Sequence, residues 1–128
     1  MTRDVITVSP ETPIFDAMEL LKNNRISGMP VVDSEMRIKG MLTEKDVLRI
    51  LIEDGIEYKH TVADYMTTDV VSFSENDSAS QVCNFFINSH IRRVPIVHDG
   101  KLIGIVSRRD IILLILEAKS KMSKSRYT

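Results

Sequence analysis

Short apolar runs alternate with amphipathic segments along the chain, and this order occurs twice. Residues 5–8 form a β-rich run, and residues 29–32 and 38–42 are apolar runs around a polar turn, which predicts a pair of antiparallel strands. Between these runs, Thr12 and Pro13 provide a helix cap and a first-turn proline. The apolar positions that follow at helical spacing are Ile14, Ala17, Met18 and Leu21.

The second half shows the same elements. Asp77 or Ser78 caps a helix with apolar positions at Ala79, Val82, Cys83 and Phe86, and Asp99-Gly100 is a strong hairpin-turn signal. A further helix is predicted to start at Thr43, with its counterpart at Ser107. Their apolar positions are Val47, Leu48, Leu51 and Ile52 in the first, and Ile111, Ile112, Leu114 and Ile115 in the second.

The two halves are a tandem duplication. An offset of 65 aligns residues 1–9 with residues 66–74, and an offset of 64 aligns residues 40–46 with residues 104–110. Each half therefore reads β-α-β-β-α. Because so small a sheet cannot bury its own apolar face, we predict an α+β fold in which the two repeats pack about a pseudo-twofold axis.

The duplication also predicts a division of the chain. Repeat 1 covers residues 1–56, a linker with a short helical turn covers residues 57–66, and repeat 2 covers residues 67–117. Residues 118–128 form a basic tail, as suits a helix C-terminus. Repeat 1 has no counterpart of the turn at 61–65, so we expect either that the chain starts inside a longer protein or that one turn serves both halves.

Composition limits the possible functions. With 43% hydrophobic and 27% charged residues and a net charge of -1, the chain is expected to be globular, with no overall attraction to nucleic acid. Cys83 is the only cysteine, and no apolar run is long enough to cross a bilayer, which favours a cytoplasmic protein without a membrane partner. His60, His90 and His98 lack metal-ligand spacing, and no catalytic motif is evident, so neither a metal nor an enzymatic activity is predicted.

Two motifs of the form Ser/Thr-x-x-Asp follow strands that contain a glycine: Thr43 to Asp46 and Ser107 to Asp110. One interpretation is a capping box, in which the acid bonds back to the first amide of the helix. The other is a carboxylate that faces a cleft between the repeats and accepts hydrogen bonds from vicinal hydroxyls, such as those of ribose. The repetition of the motif in the same context favours the second.

The chain resembles a cystathionine β-synthase (CBS) domain pair, or Bateman module. The resemblance is carried by the openings 5–9 and 70–74, the segments 26–32 and 91–97, and the two Gly-x-x-(Thr/Ser)-x-x-Asp ends. It implies a regulatory module that needs no cofactor and binds AMP, ADP, ATP or S-adenosylmethionine between its repeats. It also implies a homodimer and a fused or associated effector domain.

The resemblance implies two binding clefts. In the first, Asp110 would hold ribose hydroxyls and Arg93 would lie near phosphate. The other residues implied there are Ser107, Arg109, Ile105, Ile6, Ile26, Ser27 and Gly28. The residues implied for the second cleft are Asp46, Thr43, Lys45, Val71, Ile91 and Arg92.

Charge distinguishes the two clefts. Repeat 2 carries Arg92, Arg93, Arg108 and Arg109 where repeat 1 has Ser27, Gly28, Glu44 and Lys45. Converging guanidiniums favour phosphate, so the Asp110 cleft is predicted to bind a nucleotide better than the Asp46 cleft. Two alternatives remain: a ligand-free dimerisation module, and nucleic-acid binding through the arginine pairs and the basic tail, which the net charge disfavours.

Overall fold

The computed structural model describes residues 1–50, 52 and 60–127, with side chains described up to residue 122. Leu51 and the predicted repeat boundary after residue 56 lie outside the described residues. Repeat 1 holds α1 (Ile14–Asn24), β1 (Gly28–Val32), β2 (Ile38–Thr43) and α2 (Glu44–Arg49), and α3 (Val62–Tyr65) follows. Repeat 2 holds β3 (Phe73–Ser74), α4 (Ala79–Ile87), β4 (Arg93–His98), β5 (Lys101–Ser107) and α5 (Arg108–Tyr127).

In repeat 1, β1 and β2 form an antiparallel pair that packs against α1. Ile14, Ala17 and Leu21 are the buried face of this helix, as predicted. The predicted cap is wrong: Pro13 occupies the N-cap position, and no side chain caps the helix. The Thr12 hydroxyl instead accepts a hydrogen bond from the Ser9 amide at 3.2 Å, because the loop before the helix closes on itself.

In repeat 2, β3, β4 and β5 form a three-stranded sheet in that order. The hairpin turn is confirmed, because Asp99 and Gly100 both have the positive φ, 51° and 79°, that a tight hairpin of this type needs. Ser78, not Asp77, caps α4 and shares a capping box with Gln81. Asp77 instead accepts the Ser74 amide at 2.7 Å.

The predicted first strands are largely absent. Among residues 5–8, Val8 forms a parallel bridge with Val31, and the counterpart in repeat 2 is the two-residue β3. The residues before these segments pair with the other repeat. Thr2 exchanges two backbone hydrogen bonds of 2.9 Å with Ile105, and Thr67 does the same with Met41. We call this reciprocal pairing the opening exchange.

The opening exchange obeys the pseudo-twofold axis. Thr2 and Thr67 are equivalent under the offset of 65, and Met41 and Ile105 under the offset of 64. A third bridge joins Arg37 to Lys101, which are themselves equivalent, so it lies on the axis. The predicted relation between the repeats is therefore visible in the backbone pairing, and each repeat supplies a segment to the hairpin of the other.

The second helix of each repeat forms as predicted, but its apolar residues stay largely on the surface. Val47 in α2 is buried, whereas Leu48 and Ile52 are 62% and 86% exposed. In α5, Ile112, Leu113, Leu114, Ile115 and Leu116 are between 49% and 58% exposed, and we call them the α5 apolar segment. Most of these apolar positions are therefore not covered by other described parts of the chain.

The linker turn is confirmed as α3, which packs onto the start of repeat 1. The Val62 amide donates a hydrogen bond to the Thr12 carbonyl, and the Ala63 amide donates one to the Pro10 carbonyl, both at 2.9 Å.

Among the helices that the structure describes, none is long and apolar enough to cross a membrane.

Candidate functional site

A cavity of about 270 Å³ lies between the two repeats. Seven of the residues predicted for the Asp110 cleft line it: Ile6, Ile26, Gly28, Arg93, Ile105, Ser107 and Asp110. Thr2, Asp4 and Val5 also line it and were not predicted. Ser27 and Arg109, which were predicted for the same cleft, are exposed and are not among the lining residues.

The opening exchange positions the two walls of this cavity. Thr2 pairs with Ile105 in β5, and residues 4–6, which follow Thr2, line the cavity together with Ser107 at the end of that strand and Asp110 in α5. Gly28 and Arg93 are the first residues of β1 and β4 and occupy equivalent places in the two repeats. The cavity therefore exists only where both repeats meet.

Asp110 forms the capping pair that its motif suggested and also lines the cavity. Its Oδ2 accepts the Ser107 amide at 2.8 Å, and the Ser107 hydroxyl accepts the Asp110 amide at 3.1 Å, which is a capping pair at the start of α5. Its Oδ1 has no hydrogen-bond partner within the described part of the chain. One carboxylate oxygen is thus available to a molecule in the cavity while the other holds the helix start.

Asp46 is the equivalent acid of repeat 1, and both of its carboxylate oxygens accept hydrogen bonds from the chain. Its Oδ2 accepts both the amide and the hydroxyl of Thr43 at 3.0 Å. Its Oδ1 accepts the hydroxyl of Thr67 at 3.2 Å and lies 3.9 Å from the Arg49 guanidinium. Both oxygens are therefore engaged with the chain itself, and the two acids differ although their motifs match.

The remaining residues predicted for the second cleft are not gathered around the Asp110 cavity. Thr43 shares the capping box with Asp46 and is half-buried. The other four have exposed side chains: Lys45, Val71, Ile91 and Arg92. The grouping of these residues around a ligand stays a prediction.

The four arginines of repeat 2 do not converge on the cavity. Arg93 lines it, but the Arg108 guanidinium donates to the carbonyls of Phe86 and Ser89, where it caps the C-terminal end of α4. Arg92 and Arg109 are exposed and are not among the lining residues. The charged lining is thus one guanidinium, that of Arg93, and two carboxylates, those of Asp4 and Asp110.

The family model of the CBS domain matches residues 1–53 and again residues 62–126. The chain belongs to the CBS domain family. The two matches correspond to the two repeats, so the chain carries a CBS pair. Within the described residues, no group of three or more His, Cys, Asp or Glu side chains could hold a metal ion.

The relatives of this CBS pair include short and long proteins. The CBS domain-containing protein YhcV of Bacillus subtilis is 35% identical over 111 residues, which are 87% of this chain and 79% of YhcV. Inosine-5'-monophosphate dehydrogenase of Methanocaldococcus jannaschii is 39% identical over 111 residues. The chain covers 21% of that dehydrogenase, and 41% of the uncharacterized protein MJ1225 of the same organism.

Solved structures confirm the predicted α+β fold. The structure of Arabidopsis thaliana CBSX2 in complex with AMP matches with a TM-score of 0.82 at 30% identity, over 93% of this chain and 94% of that one. The CBS domain pair of MJ0100, in complex with 5'-methylthioadenosine and S-adenosyl-L-methionine, matches with a TM-score of 0.76 at 26% identity, over 92% and 93%.

The cavity residues that sequence analysis missed in this CBS pair come from the opening exchange. Thr2 and Asp4 carry a usable signal, since the offset of 65 places them on Thr67 and Asp69, which are identical residues. This signal marks the opening as part of the repeat. It does not show that the opening crosses to the other repeat, which depends on long-range pairing.

Proposed function

We propose that this CBS pair is a regulatory module that senses an adenosine-containing ligand in the cavity lined by Asp110. The free Oδ1 of Asp110 carries the proposal, because a carboxylate oxygen can accept hydrogen bonds from the hydroxyls of a ribose. Ile6, Ile26 and Ile105 offer apolar surface to an adenine ring, and Arg93 offers a guanidinium to a phosphate. The AMP complex of CBSX2 and the S-adenosyl-L-methionine complex of MJ0100 support this ligand class.

The proposed mechanism uses binding energy alone and needs neither catalysis nor a cofactor. A ligand in the cavity contacts residues of both repeats, so it stabilises the arrangement in which those residues face each other. The protein would pass this change to a fused or associated effector. The match to part of a dehydrogenase supports such an attachment. A reducing, cytoplasmic location belongs to the same proposal and is supported by the single cysteine.

The test compares Asp110→Asn with the matched control Asp46→Asn. Asparagine keeps one oxygen for the capping pair but replaces the other with an NH2 group, which cannot accept a hydrogen bond from a ribose hydroxyl. A ligand that binds the folded state raises the melting temperature. AMP and S-adenosylmethionine are each expected to raise it in the wild type and in Asp46→Asn, and at least one of them should lose its effect in Asp110→Asn.

Each variant serves as its own reference, because the shift is measured with and without ligand. An intrinsic loss of stability from a weakened cap therefore cancels. Equal loss of the ligand effect in both variants would count against a role specific to Asp110. No shift with any adenosine-containing ligand in the wild type would refute the sensor proposal.

A homodimer is the second part of the proposal, and the α5 apolar segment supports it. A contiguous run of half-exposed Ile and Leu residues is typical of a protein interface. Nucleic-acid binding is not proposed, because the net charge is -1 and Arg108 is engaged with α4.

Dimerisation is tested with the double substitution Ile112→Glu and Ile115→Glu, which places two charges three residues apart on one helix face. Light scattering should give twice the monomer mass for the wild type and the monomer mass for the variant. Lys119→Glu changes charge in the same helix outside the segment and should stay dimeric. A monomeric wild type would refute the homodimer.

A further inference from the structure

The charges that line the cavity set a limit on its ligand. Asp4 and Asp110 each contribute a carboxylate, and Arg93 contributes the one guanidinium among the lining residues. We infer that the cavity selects adenosine-containing ligands with at most one phosphate, and that Asp4 is the residue that sets this selectivity. The inference rests on the proposed function and names the ligand class of the same cavity.

Recognition of a polyphosphate needs several converging hydrogen-bond donors. Of the four arginines of repeat 2, only Arg93 lines the cavity. Arg108, one of the four arginines of repeat 2 in the charge comparison, donates to two carbonyls at the end of α4. Two backbone amides at the start of α5 are engaged as well. The Arg108 amide donates to the Arg92 carbonyl at 3.1 Å, and the Asp110 amide donates to the Ser107 hydroxyl. Arg93 therefore meets a phosphate without help from a second lining cation.

Asp4 opposes further negative charge. It is exposed, and within the described residues it has no ion-pair or hydrogen-bond partner that would compensate its carboxylate. Each phosphate added beyond the first brings negative charge to a lining that already carries an excess of one carboxylate over guanidinium.

The chain offers a matched control for Asp4. Asp69 is the equivalent residue of repeat 2, it is exposed like Asp4, and it is not among the residues that line this cavity. The variants Asp4→Asn and Asp69→Asn therefore change the net charge of the protein equally. Only the first changes the charge of the cavity lining.

The experiment is titration calorimetry of the full chain with AMP and with ATP, without divalent cations. The wild type and Asp69→Asn are expected to bind AMP at least about tenfold more tightly than ATP. Asp4→Asn is expected to reduce this ratio to about threefold or less. Because the effect is electrostatic, raising the salt from about 50 mM to about 500 mM should also reduce the wild-type ratio.

Two results would overturn the inference while the sensor proposal stands: ATP binding as tightly as AMP, or an unchanged ratio in Asp4→Asn. If AMP and S-adenosylmethionine both fail to bind the wild type, the proposed function and the inference fall together. The inference would be supported if the wild type binds AMP selectively, Asp4→Asn reduces this selectivity and Asp69→Asn preserves it.

Discussion

Gly40 is the position where the opening exchange tolerates least change. A Cβ atom added there would lie 2.7 Å from the Thr67 carbonyl oxygen and 2.9 Å from the Met66 sulfur. Non-bonded carbon atoms pack best at about 3.5–4.0 Å, so Gly40→Ala must push the crossing segment away from β2. The same movement stretches the two 2.9 Å backbone hydrogen bonds between Met41 and Thr67.

Two costs, of which relaxation lowers one as it raises the other, determine the expected magnitude. Forcing a methyl group into a packed site typically costs about 1–3 kcal/mol. Each weakened hydrogen bond costs about 0.5–1.5 kcal/mol if it is lost. Because relaxation trades one cost against the other, we expect Gly40→Ala to lower the free energy of unfolding by about 2–4 kcal/mol. This is a large share of the stability of a typical domain, which is about 5–15 kcal/mol.

Urea unfolding followed by far-UV circular dichroism measures this loss, and Gly104→Ala is its matched control. At Gly104 the nearest atoms are Met1 Cγ and Sδ, both 2.6 Å from an added Cβ, and the Thr2 carbonyl is 2.9 Å away. The Met1 side chain can rotate aside, which leaves the 2.9 Å contact with the Thr2 carbonyl oxygen, against 2.7 Å with the Thr67 carbonyl oxygen at Gly40. Gly104→Ala should therefore cost less. A loss below about 0.5 kcal/mol for Gly40→Ala, or a larger loss for Gly104→Ala, would refute the reasoning.

Two further predictions concern turns and caps. The amides of Arg37 and Glu35 donate hydrogen bonds to the Asp33 carboxylate and hold its pKa below the ordinary value of 3.8. The charged carboxylate therefore stabilises the fold at any pH above the unfolded-state pKa. This stabilisation is lost as the pH falls through the lowered pKa of the folded state. Asp33→Asn should destabilise the fold at pH 7 and lose this effect at about pH 2, and an equal effect at both would contradict the assignment. Ser78→Ala should lower the free energy of unfolding by about 1 kcal/mol in urea titrations, whereas Ser80→Ala, inside α4, should not.

Local signals predicted most of the elements, because their causes lie within a few residues. The Asp99-Gly100 turn specifies its hairpin through backbone conformation alone. The Ser78 and Gln81 capping box likewise marks the start of α4. The prediction of a first strand in each repeat failed because its cause is not local. Residues 5–8 have strand-like composition, but the backbone partner of the segment before them is in the other repeat, at Ile105.

The site shows the same limit more sharply. Asp46 and Asp110 have matching motifs, and sequence could not show that Thr67, 21 residues away, would donate to the second oxygen of Asp46. Nor could it show that Arg108 would cap α4 instead of facing a ligand. These differences depend on contacts between side chains and segments that are far apart in the chain. The local sequence around each motif does not predict such contacts.

The opening exchange has a consequence for how such a protein could have arisen. A polypeptide with one repeat would carry both the donated segment and the hairpin that receives it, yet the exchange joins segments of different repeats. Two separate copies could complete each other across a true rotation axis. The present chain then corresponds to two swapped protomers fused by a linker, and fusion freed Asp46 and Asp110 to diverge in their hydrogen-bond partners.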